Sequence, residues 1–102
     1  MINLSIKSDV LEVSIRTESF DLSDAKQLGQ LLRAVERPVF ESVRIDLSEV
    51  ETIRAVAVGP LLSAGRELSA AHKPVILVQP QPAVRSLLEL MKLSDAFEIQ
   101  AQ

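Results

Sequence analysis

A chain of 102 residues with 47% hydrophobic and 25% charged side chains fits one globular domain with a single core, and it lies away from the disordered and collagenous classes. The net charge is −3, the eleven Lys and Arg are scattered, and there is no Tyr or Trp beside the three Phe. Neither a basic stripe for a phosphate backbone nor an aromatic platform for bases is available, which argues against nucleic acid as a partner. The absence of Cys and the single His72 argue against a disulfide framework or a zinc site.

In chain order, Leu4 to Lys7 and Val10 to Arg16 read as a strand pair, with Ser8-Asp9 as the turn between them. Asp21 to Glu36 carries Ala25, Leu28, Leu31, Leu32 and Val35 at helical spacing, with Ser23 as candidate N-cap, Asp21 and Asp24 suited to the positive end, and Pro38 as the stop. Phe40 leads into a strand in which Val43, Ile45 and Leu47 alternate with Arg44 and Asp46. A polar run from Ser48 to Thr52 follows, within which the Asp46 carboxylate is placed to accept from a loop amide.

From about Val56 the period changes to that of a helix, with Val58, Leu61, Leu62, Gly65 and Leu68 on one face and an end near His72. A histidine there complements the helix C-terminus. The unbroken apolar run Val75 to Val78 predicts a strand covered on both faces. Pro80 and Pro82 close it, and Pro82 suits the first turn of a third helix that presents Val84, Leu87, Leu88 and Met91 and ends near Lys92. Phe97 to Ile99 predicts a short edge strand. The expected architecture is α/β over one domain, residues 1–102. It has a mixed, mostly parallel sheet of about four to five strands packed with three or more helices, connected by right-handed crossovers.

Little in this chain can do covalent chemistry. The only imidazole, His72, belongs to a helix end, no spacing pairs the carboxylates, and Gly29, Gly59 and Gly65 make no phosphate loop. An enzyme is not expected, and no cofactor or metal is implied. Glu36, Glu41, Asp46, Glu49 and Glu51 read as a solvated surface. The unusual stretch is Arg54-Ala55-Val56-Ala57-Val58-Gly59-Pro60, which puts a cation and small apolar residues at a helix start where Asp, Ser or Thr would stabilise. Pro60, Ala57 and Ala64 are expected off the core face, leaving a flat, weakly polar patch for a partner.

The order of elements and the segments SFDLSDAKQL, IDLSEVETI, GPLL, KPVILVQPQPAVRSLLELMKL and DAFEI resemble the STAS family, the domain of bacterial anti-sigma factor antagonists that also occurs in sulfate transporters. The resemblance implies a small STAS-like fold and places Asp21 at the position of an acidic residue near the partner surface. In antagonists of the phosphorylated kind, the turn reads Asp-Ser-Ser-Gly and its second serine takes phosphate from a kinase that is also the anti-sigma factor. Here the register reads Arg54-Ala55-Val56-Ala57, so Val56 stands where that serine would and has no hydroxyl to phosphorylate. Ser48, Thr52 and Ser63 are nearby hydroxyls outside the matching position.

The leading expectation is a non-enzymatic interaction module in signal transduction by partner switching, docking an anti-sigma or kinase-like ATPase through Asp21, Arg54, Ala55, Val56, Ala57, Pro60 and Ala64. The alternatives are an accessory subunit riding on the ATPase of an ABC transporter, and a domain that binds a small anion or nucleotide at the helix start. No apolar run approaches the ~18 residues of a membrane span. The cytoplasm is therefore the expected compartment, and a homodimer is among the partners considered.

Overall fold

The computed structural model describes residues 1–35, 39–93 and 97–100. Their elements run β1 (Ile2–Lys7), β2 (Val10–Ile15), β3 (Ser19–Phe20), α1 (Leu22–Ala34), β4 (Ser42–Asp46), β5 (Thr52–Ile53), α2 (Ala55–Ala70), β6 (Val75–Val78), α3 (Pro82–Leu90) and β7 (Glu98–Gln100). The main sheet is five-stranded in the order β1-β2-β4-β6-β7, antiparallel only between β1 and β2. The α/β class, the hairpin entry and the mostly parallel sheet agree with the sequence pattern. Pro38 and Glu36, expected to end the first helix, lie outside the described residues.

Strands β2, β4, β6 and β7 are added in one direction across the sheet, and each parallel connection passes through a helix. Right-handed crossovers in a constant direction deliver every helix to the same face. Burial follows that rule: Leu11, Val13, Ile15, Val43, Ile45, Val75 and Leu77 are buried, whereas Glu12, Ser14, Arg44, Asp46, Ile76 and Val78 are only half-buried. This corrects the expectation for Val75 to Val78. The strand is covered on one face, and its second apolar pair, Ile76 and Val78, lies on the open side beside polar neighbours.

The covered side holds one continuous core, in which Phe20, Leu28, Phe40, Leu68, Leu88 and Leu93 join the inward sheet residues. In α3 the expected face is only partly inward. Val84 and Leu88 are buried, but Met91 caps the helix end and is 44% exposed.

Helix ends follow local chemistry. The N-cap of α1 is Asp21 and not Ser23: the Asp21 carboxylate accepts from the Asp24 N–H at 3.0 Å, and the Asp24 carboxylate accepts from the Asp21 N–H at 3.0 Å, a reciprocal capping box. Ser23 sits one residue into the helix, where its hydroxyl cannot reach that position. At the other end of α2, His72 takes φ 61, its N–H bonds Ser69 O at 3.0 Å and the Lys73 N–H bonds Leu68 O at 2.8 Å. That pair of bonds is a Schellman closure, so His72 ends the helix through its backbone.

Candidate functional site

Two elements invisible to the hydrophobic pattern build the site. β3 and β5 are two-residue strands that pair in parallel, Ser19 with Thr52 and Phe20 with Ile53, away from the main sheet. Bonds from the Glu51 and Thr52 N–H groups to Glu18 O (2.8 and 3.0 Å) and from the Arg54 N–H to Phe20 O (2.8 Å) fix the register. Because Phe20 and Ile53 are each followed directly by a helix cap, the starts of α1 and α2 are held side by side. Asp21 caps one and Arg54 the other, both in extended backbone.

The two starts differ in electrostatics. Asp21 satisfies its helix and is held below the usual carboxylate range. The main cause is the Asp24 N–H bond, followed by the Asp24 side chain; desolvation opposes them, and the Ser23 amide and the Arg54 charge add smaller lowering contributions. Arg54 makes no side-chain cap bond, and no acidic residue lies in the first turn of α2. The first amides of α2 therefore keep the positive end of the helix dipole beside a cation.

Pro60 stands within the same helix and lacks the N–H that would bond the Val56 carbonyl four residues earlier. Donor amides, an acceptor carbonyl and the Val56 side chain, 63% exposed, thus sit within little more than one turn.

The structure divides the expected contact residues. Asp21, Arg54, Ala55 and Val56 are exposed, and Pro60 is half-buried. Ala57 and Ala64 are 0% and 6% exposed and belong to the core, which corrects their assignment to the patch. They lie on the buried side of α2, together with Val58, Leu61, Gly65 and Leu68. A further set went unread in the sequence: Lys26, Gln30 and Arg33 of α1 with Pro60 and Ser63 of α2 line a shallow groove along the helix pair, which Arg33 Nη2 and Glu67 Oε2 bridge at 3.1 Å. The i, i+4 spacing of Lys26 and Gln30 was the available signal, but only the helix pairing shows what it faces.

The loop before β5 is tied to the fold. Asp46 Oδ1 accepts from the Ser48 N–H at 2.8 Å, as the sequence suggested, and Gln81 Nε2 donates to Ser48 O at 2.9 Å. Among the hydroxyls near the turn, Thr52 and Ser63 are exposed and Ser48 is half-buried. Among the described residues no helix is long and apolar enough to cross a membrane.

The chain belongs to the STAS-domain family: the family described as "Mlab, STAS domain" matches residues 2–100. Among solved structures it is similar to an anti-sigma factor antagonist from Mycobacterium paratuberculosis (24% identity, TM-score 0.81, covering 100% of this chain and 86% of that one). It is also similar to RsbS of Moorella thermoacetica (20%, 0.79, 99% and 86%). A third is the Bacillus cell fate determinant SpoIIAA in its phosphorylated form (16%, 0.72, 100% and 93%). A search of curated proteins found no significant match.

Proposed function

We propose that this STAS domain is a non-enzymatic cytoplasmic docking module that binds a kinase-like or anti-sigma-like ATPase through Asp21, Arg54, Ala55, Val56 and Pro60, and that it is not phosphorylated at the turn. The observation that carries the reading is the start of α2: an uncapped Arg54 next to an exposed Val56, set against a fully capped Asp21. Arg54 offers a partner carboxylate a charge-assisted bond, and the first α2 amides offer the same carboxylate a second set of donors. Val56 supplies a desolvated apolar contact between them.

A valine in place of the phosphate-accepting serine leaves binding constitutive or controlled from the partner's side. That feature also supports a second reading, a permanently bound accessory subunit on the ATPase of an ABC transporter. The ligand-binding alternative has less support, because Val56 stands out from the surface and does not line a recess.

The test is calorimetry with purified candidate ATPases from the same organism, of the sigma-factor-regulator and the ABC-transporter kinds, using the wild type, Arg54→Glu and Val56→Asp. Loss of at least tenfold in affinity in both variants, with unchanged circular dichroism, supports the surface; unchanged affinity overturns it. Which of the two kinds binds separates the two readings. Intact-mass measurement after incubation with the kinase and ATP should show no added phosphate.

A further inference from the structure

The two edges of the main sheet are unlike. β7 is three residues long and carries the charged Glu98, which are ordinary ways of blunting an edge. β1 is six residues, INLSIK, with no proline and a single charge at its end. Met1 and Arg16 exchange both backbone bonds at 2.7 Å. In an antiparallel ladder such pairs alternate, so Asn3, Ser5 and Lys7 bond inward to Ser14, Glu12 and Val10. The N–H and C=O groups of Ile2, Leu4 and Ile6 point out of the sheet.

The cover over this strand also runs out along its length: Ile2 is 8% exposed, Leu4 is half-buried and Ile6 is 45% exposed.

We propose that β1 pairs with β1 of a second copy of this chain, antiparallel about a two-fold axis through Leu4. The occupant follows from the sequence of the edge, since Ile-Asn-Leu-Ser-Ile reads nearly the same in both directions about Leu4. The two-fold sets Leu4 on Leu4 and Ile2 on Ile6 as hydrogen-bonded pairs, using every outward amide and carbonyl of the three residues. The apolar side chains of both copies then share the core-side face, and Asn3 meets Ser5 on the other. No charged side chain falls between Ile2 and Ile6, so like charges do not meet within the pairing. One strand edge buries less than the ~1,200–2,000 Å² of a stable interface, which makes the dimer weak and concentration-dependent. The surface is separate from the Arg54 patch, so the two proposals fail independently.

The chain has no cysteine, so single cysteines report register directly. The hydrogen-bonded pair at the two-fold places Cα atoms about 5.5 Å apart, within the ~4.4–6.8 Å of a disulfide. Oxidised Leu4→Cys should form a covalent dimer, and Ser5→Cys, offset by two residues from its counterpart, should not. Sedimentation of the wild type should show reversible dimerisation that Ile6→Lys, at an exposed position that tolerates lysine, weakens at least tenfold. The proposal is overturned if the wild type remains monomeric up to its solubility limit, or if the two cysteine variants cross-link equally.

Discussion

Arg54 holds a position that local energetics would give to another residue. An N-cap that accepts a bond from the helix is worth about 1 kcal/mol, and a cation at the positive end of the dipole costs about 0.3–1 kcal/mol. Arg54→Ser supplies the missing acceptor and removes the charge, so it should raise the stability of the free domain by about 0.5–1 kcal/mol in urea titration. The same variant should bind the proposed ATPase partner more weakly. Gain of stability with loss of binding marks a residue retained for contact; loss of both would make Arg54 structural.

Asp21 provides the electrostatic counterpart. Its folded pKa lies below the ordinary value, so its carboxylate contributes stability above about pH 3.9 and loses it as pH falls through the folded value. In Arg54→Ser one of the smaller lowering influences is gone while the Asp24 bonds remain. The Asp21 carboxyl titration followed by NMR should move upward and still lie below that of an unperturbed aspartate. No movement would show that the two caps are not coupled.

At the scale of elements, α2 contains two glycines with different meanings. Outside its chain neighbours and its own helix backbone, a Cβ at Gly59 would meet nothing within 4 Å. Pro60 follows, however, and its ring crowds a preceding Cβ in the helical region. The propensity gain of Gly59→Ala should therefore be offset, and the variant should stay within about 0.5 kcal/mol of the wild type. A Cβ at Gly65 would fall 2.5 Å from the Phe97 ring, and that ring is only 4% exposed. Gly65→Ala should therefore lose about 1–3 kcal/mol despite the same gain in propensity. Thermal unfolding of the pair separates the effects by size.

The contrast also shows what the sequence could reveal. Val and Leu periodicity located α2 and its inward face, because only a helix places Val58, Leu61, Leu62 and Leu68 together. Alanine carries no such signal: Ala57 and Ala64 fit a core or a surface equally, and their burial is decided by the elements packed over α2, which periodicity within α2 does not describe. Asp21 and Ser23 are both capping types two residues apart, and the choice between them rests on Asp24 completing the box with Asp21. β3 and β5 were illegible for another reason. Two-residue strands have no period, and they exist only because Glu18 to Asp21 and Glu51 to Arg54 meet in space. The charge and shape of the Arg54 turn could be read from sequence, but its pairing with the Asp21 cap depended on those strands.

For the whole molecule, the same one-directional sheet order that places all three helices on one face leaves the energetics of the sheet lopsided. β6 is the sharpest place to see it, because VILV is equally apolar at every position and composition cannot hide the difference. Leu77 is 0% exposed and belongs to the core, whereas Val78 is half-buried on the open face beside Asp46 and Gln79. Truncation of a buried leucine removes transfer energy and leaves a cavity, so Leu77→Ala should cost about 2–5 kcal/mol. Val78→Thr keeps the β-branched shape and puts its hydroxyl where water can reach it, so it should cost less than about 1 kcal/mol. A two-sided sheet would make both substitutions severe, the first by cavity and the second by an unpaired buried hydroxyl. Chemical denaturation of the two variants therefore measures the one-sidedness of the fold: similar large losses would mean that the open face is covered in solution.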